Sequence, residues 1–151
     1  KKLKQLSPLT IKATFLGAHA VPQEYKANKR GYIDLIKHKM LPAIAEEGLA
    51  DYCDVFCEKN YFDENDCRKI FETGRKHGLI PKIHAEQLSH TNGIKTAIEC
   101  GAISADHLEF CNNDDILSMK ESEIVPTILP GAAFFLNLPF LKNNIYSNWL
   151  I

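Results

Sequence analysis

The feature that most constrains this chain is a short apolar run that stops abruptly at a polar group and then recurs. The run over residues 53–57 stops at Glu58, Ile80-Pro81-Lys82-Ile83 at His84, residues 102–106 at His107, and residues 124–129 at Pro130-Gly131. These stops are 23–26 residues apart. An earlier run, residues 10–18, stops at His19. Runs this short, bounded by turn-forming or polar residues, read as buried strands.

The segments between the runs have helical spacing. Ile33, Ile36, Met40, Leu41 and Ile44 predict a helix over 32–47, kinked or broken near Pro42 and stopped by Gly48. Residues 23–31 are polar and read as an exposed connection. Asp63 is a candidate N-cap, with Asp66 three residues on, for a helix that buries Cys67, Ile70 and Phe71 and ends near His77-Gly78. A further helix is expected over 94–100, and another capped by Asn112 or Asn113 with Ile116 and Met119 inward. The order is β-α-β-α-β-α-β-α-β, which argues for a parallel sheet covered by helices.

Two features favour a barrel over a doubly wound sheet. No glycine-rich phosphate loop follows the first strand. Polar groups recur at the C-terminal ends of the strands, where barrel sites are built. A complete (β/α)₈ barrel needs roughly 250 residues, whereas this chain has 151 and five strands. The expectation is therefore part of a barrel over residues 1–138, followed by a divergent tail over 139–151.

Composition narrows the function classes. A net charge of −1, with no basic stripe, gives no reason to expect a nucleic-acid partner. No run approaches the ~18 apolar residues of a membrane span. The basic start, Lys1 to Gln5, lacks the apolar core of a signal peptide, so a cytoplasmic location is expected. The five cysteines form no CxxC pair, and their odd number argues for reduced thiols. Cys53 and Cys57 flank a strand, which is poor geometry for a shared zinc site.

The candidate site residues are the strand-end imidazoles. His84 and His107 occupy equivalent positions and are expected to share a site. His19 is expected to help hold a substrate. An imidazole at such a position suits metal ligation and acid–base work equally well. His38, His77 and His90 read as surface residues, and Glu58 stays open between the site and support of the rim.

At this point the sequence resembles the imidazolonepropionases of the metal-dependent amidohydrolase superfamily. The resemblance rests on Thr14-Phe-Leu-Gly-Ala-His-Ala20, residues 40–51 (Met40 to Asp51), Asp54-Val-Phe-Cys-Glu58, Lys82-Ile-His-Ala-Glu-Gln-Leu-Ser89, Ser104-Ala-Asp-His-Leu-Glu109 and Leu129-Pro-Gly-Ala132. It implies a partial (β/α)₈ TIM barrel of the amidohydrolase type, about strands three to seven only. It also implies hydrolysis of 4-imidazolone-5-propanoate to N-formimino-L-glutamate in histidine degradation, by water activated on Zn²⁺ or Fe.

The resemblance assigns roles as well. His84 matches a metal ligand at the end of the fifth barrel strand. His107 matches the sixth-strand catalytic histidine beside the reacting carbonyl. His19 and Gln87 match substrate-binding positions. Some relatives carry Glu where Gln87 stands, and a neutral amide is confined to binding. The implied partner is the small-molecule substrate, with a homodimer a candidate assembly for the full-length enzyme. The family's His-x-His pair and its eighth-strand Asp have no counterpart in the 151 residues, so one of the four expected metal ligands is present. The isolated chain is accordingly expected to bind metal poorly and to show little activity. The competing expectations are another cyclic-amide hydrolase or heterocycle deaminase, and an inactive barrel fragment.

Overall fold

A computed structural model describes residues 2–138; the expected tail over 139–151 lies outside the described residues. The strands are β1 (Thr14–Ala18), β2 (Tyr52–Cys57), β3 (Ile80–Ala85), β4 (Ser104–His107) and β5 (Val125–Thr127). The helices are α1 (Lys2–Leu6), α2 (Lys29–Leu35), α3 (Leu41–Glu46), α4 (Glu64–Lys76), α5 (Gly93–Glu99), α6 (Asn113–Lys120) and α7 (Pro130–Phe135). The strands form one parallel sheet in the order β1-β2-β3-β4-β5.

That order decides the architecture. Right-handed crossovers between strands taken in sequence order put every connecting helix on the same face. A doubly wound sheet must reverse its order and cover both faces. The described sheet never reverses, which is the pattern of a barrel wall.

Alternation along the strands then separates two environments. Cys53, Val55 and Cys57 of β2 and Ile83 and Ala85 of β3 are fully buried. They share a core with Cys67, Ile70 and Phe71 of α4 and Ile94 and Ala97 of α5. The intervening residues, Asp54, Phe56, Lys82 and His84, lie on the opposite face. Register places Phe56 beside His84 and His84 beside Asp106.

The caps form as the sequence suggests, and more completely. Asp63 Oδ1 accepts the Asp66 N–H at 2.9 Å, and Asp66 Oδ2 accepts the Asp63 N–H at 3.3 Å. Asn112, rather than Asn113, caps α6 through the same reciprocal pair with Asp115. Gly78, at φ +78°, ends α4 in a left-handed turn that side chains rarely adopt.

Several boundaries differ from expectation. Strand β1 begins at Thr14 rather than residue 10, β4 runs over Ser104–His107 rather than 102–106, and β5 is Val125–Thr127 rather than 124–129. The helical segment starts at Lys29, inside the expected connection, because the Asn28 side chain caps it by accepting the Gly31 N–H. The helix continues past Pro42 through a π-helical turn, Ile36–Met40. Pro42 has no N–H to bond back, and its ring crowds the carbonyl four residues earlier. The chain relieves both by widening the preceding turn. Among the described residues no helix is long and apolar enough to cross a membrane.

The core face should carry the stability. Phe71 is fully buried and Phe134 is 83% exposed. Phe71→Ala is expected to cost about 3–5 kcal/mol in denaturant unfolding, and Phe134→Ala less than about 0.5 kcal/mol.

Candidate metal centre and active site

Three adjacent strands deliver the polar constellation. His19 follows the end of β1, Asp54 lies within β2, and His84 lies near the end of β3. Asp54 Oδ1 is 3.0 Å from His84 Nδ1 and 3.3 Å from His19 Nε2. The His19 and His84 rings meet edge to face with centroids 4.6 Å apart. His107, at the end of β4, sets its ring 5.2 Å from that of His84. The sequence-predicted imidazoles His19, His84 and His107 therefore do converge. Gln87 is buried just beyond β3, and among the described residues it makes no hydrogen bond to any of the three histidines.

Asp54 is the site residue that sequence reasoning missed. Its signal was present: a lone carboxylate in an otherwise apolar strand, Cys53 to Cys57. The Asp54 side chain is 1% exposed. Burial on its own raises its carboxyl. The hydrogen bonds from His19 and His84 outweigh burial and hold Asp54 below the usual carboxylate range. Asp106 lies on the same face, 3.6 Å from Lys82 Nζ and 3.9 Å from His84 Nδ1.

The donor set suits a divalent metal. His19, Asp54 and His84 each offer one ligand atom, all within 4.8 Å of one another. Two imidazoles and a carboxylate are the nitrogen and oxygen donors that zinc or non-haem iron takes. Cys53 does not compete. Cys53 points to the helix side, and burial together with the Asp54 charge pushes its thiol up to about 12, so it stays protonated.

Glu58 belongs to the rim. Its carboxylate accepts the N–H groups of Lys59 (2.8 Å), Leu88 (2.8 Å) and Ser89 (3.3 Å), and the Ser89 hydroxyl. It ties the end of β2 to the loop after β3. His38, His77 and His90 are exposed, as expected. His90 bonds Asp115 at 2.9 Å, away from the three imidazoles.

Over 140 residues the chain is 51% identical to the imidazolonepropionase of Flavobacterium psychrophilum, covering 93% of this chain and 34% of that protein. The chain is homologous to part of the imidazolonepropionases. The Flavobacterium johnsoniae enzyme is 50% identical over 140 residues, and that of Caldanaerobacter subterraneus 48% over 139. The chain spans about a third of the length of the curated relatives it matches. No family model matches it.

Among solved structures, a Xaa-Pro dipeptidase with bound methionine in the active site superposes with a TM-score of 0.58 at 16% identity. It covers 89% of this chain and 39% of that one. Aspergillus niger ochratoxinase gives 0.54 at 18%, over 76% of this chain and 28% of that one. These likenesses show the fold alone, an α/β barrel matched in part.

Stability should follow Asp54. Its carboxyl lies lower in the folded than in the unfolded chain, so its contribution is present above the ordinary carboxylate range, near pH 4, and is lost as pH falls below it. Asp54→Asn is expected to remove that part of the acid limb. Unfolding midpoints across pH should differ most between variant and wild type near neutrality and converge in acid. Parallel curves would contradict the assignment.

Proposed function

We propose that this chain is the segment of an imidazolonepropionase that carries its strand-end histidines, and that it serves the hydrolysis of 4-imidazolone-5-propanoate to N-formimino-L-glutamate. The observation that carries this reading is the meeting of His19, His84 and His107, from the ends of their strands, with Asp54 inside β2, in a chain half identical to enzymes of that name.

In this reading His84 is the member of the His19–Asp54–His84 set that would hold a Zn²⁺ or Fe ion, with Asp54 bracing it and His19 turned to the substrate. Such an ion supplies Lewis acidity toward the ring amide carbonyl and acidifies bound water. Asp54 accepts the His84 Nδ1–H at 3.0 Å, which fixes the tautomer and frees Nε2 as the donor nitrogen. His19, braced by the same carboxylate, and Gln87 bind and orient the substrate. Hydrolysis forms a C–O bond, breaks the ring C–N bond and moves one proton from water to the leaving nitrogen. The His107 imidazole is the group placed to carry that proton. A small-molecule substrate belongs to the same proposal, supported by the names of the relatives, and a cytoplasmic location and a homodimer for the whole enzyme are proposed with it.

A chimaera tests this. The matching segment of the Flavobacterium psychrophilum enzyme is replaced by this chain, and turnover and metal content are measured. Turnover of 4-imidazolone-5-propanoate is expected to survive the exchange. His84→Ala is expected to lower metal content and kcat/KM by at least about a hundredfold. A folded, metal-loaded chimaera without turnover would contradict the proposal.

A further inference from the structure

Six buried side-chain polar atoms have no hydrogen-bond partner among the described residues: Thr96 Oγ1, Ser104 Oγ, Asp106 Oδ1, His107 Nδ1 and both carboxylate oxygens of Glu109. The Glu109 carboxylate stands out. Buried carboxylates are ordinarily saturated with donors, as Glu58 and Glu86 are here. The side chains of Glu109 and His107 are 1% and 8% exposed. Glu109 Oε1 lies 3.7 Å from His107 Nδ1. That is beyond hydrogen-bond reach as it stands, and less than about 1 Å of side-chain movement closes it.

The backbone explains how the two groups come together. In an extended strand, residues two apart lie roughly 6.5–7 Å from one another. Here His107 and Leu108 both take left-handed conformations, φ +88° and +75°, and fold Glu109 back toward the imidazole. Two successive non-glycine residues in this region store strain, which persists only when the surroundings hold it. They do: the Leu108 side chain is fully buried, its N–H donates to the Ala85 carbonyl at 3.2 Å, and the Phe110 N–H donates to the Glu86 carbonyl at 2.7 Å. Asp106, the other nearby acid, is turned to Lys82 and His84 through Oδ2.

We propose that Glu109 is a positioning residue for His107. Its carboxylate accepts the Nδ1–H of the imidazole and makes Nε2 the nitrogen that exchanges a proton with the substrate. The proposal rests on the reading of His107 as the proton carrier and adds its tautomer and the residue that sets it.

The test is the tautomer itself. The metal-free chain is labelled with ¹⁵N-histidine, and His107 is read by long-range ¹H–¹⁵N correlation at a pH well above the ordinary histidine range of about 6.5. A dominant Nδ1–H form is expected. Glu109→Leu, and to a lesser extent Glu109→Gln, should move the ratio toward Nε2–H, by about tenfold or more for leucine. An unchanged ratio in either folded variant overturns the proposal. Where a variant fails to fold, the wild-type spectrum decides, and a dominant Nε2–H form overturns the proposal. The spectrum needs neither substrate nor metal, so its outcome is separate from the turnover of the chimaera.

Discussion

Strand β2 can bury Asp54 only because imidazoles reach it from the strands on either side. A carboxylate 1% exposed inside a sheet would otherwise be a severe desolvation penalty. His19 from β1 and His84 from β3 supply the donors. The same interaction fixes which face of the sheet is polar. With Asp54 and His84 on one side, alternation sends Cys53, Val55, Cys57, Ile83 and Ala85 to the helices. Core and site are thus two faces of the same strands.

The site is held in place by other buried carboxylates at the strand ends. Glu58 gathers the backbone of Leu88 and Ser89. Glu86, at φ +55°, accepts the N–H groups of Thr91 (2.7 Å) and Gly93 (2.8 Å) and starts α5. Burial raises the Glu86 carboxyl despite these bonds. Gly93 is required here, since a Cβ at that position would stand 2.7 Å from the Ala85 Cβ. These contacts join the loops after β2 and β3 to each other and fix where His84 ends up. Among the described residues Glu109 has no such donors, and the imidazole of His107, 3.7 Å away, is the group we propose it serves.

Much of this was legible in the residues. The strand periods, the Asp63 and Asn112 caps, the glycine stops and the convergence of His19, His84 and His107 all follow from local pattern and from where a barrel builds its site. The resemblance to imidazolonepropionases agrees with the relatives. What could not be read depends on register between strands. Asp54 sits amid apolar neighbours, and nothing local says that two imidazoles will meet it. The π-helical turn before Pro42 is one of several ways a helix can absorb a proline. The helices α1 and α7 have few buried side chains, so no periodic apolar face announces them.

The central claim is that the imidazole–carboxylate face, and not the thiol-bearing face, is the cation site. Crystals of the chimaera soaked in Zn²⁺, with diffraction measured at the zinc edge, test it most directly. An anomalous peak about 2.0–2.1 Å from an imidazole nitrogen of His84 is expected. A peak bonded to Cys53 or Cys57, or a zinc site that leaves His84 free, would contradict it.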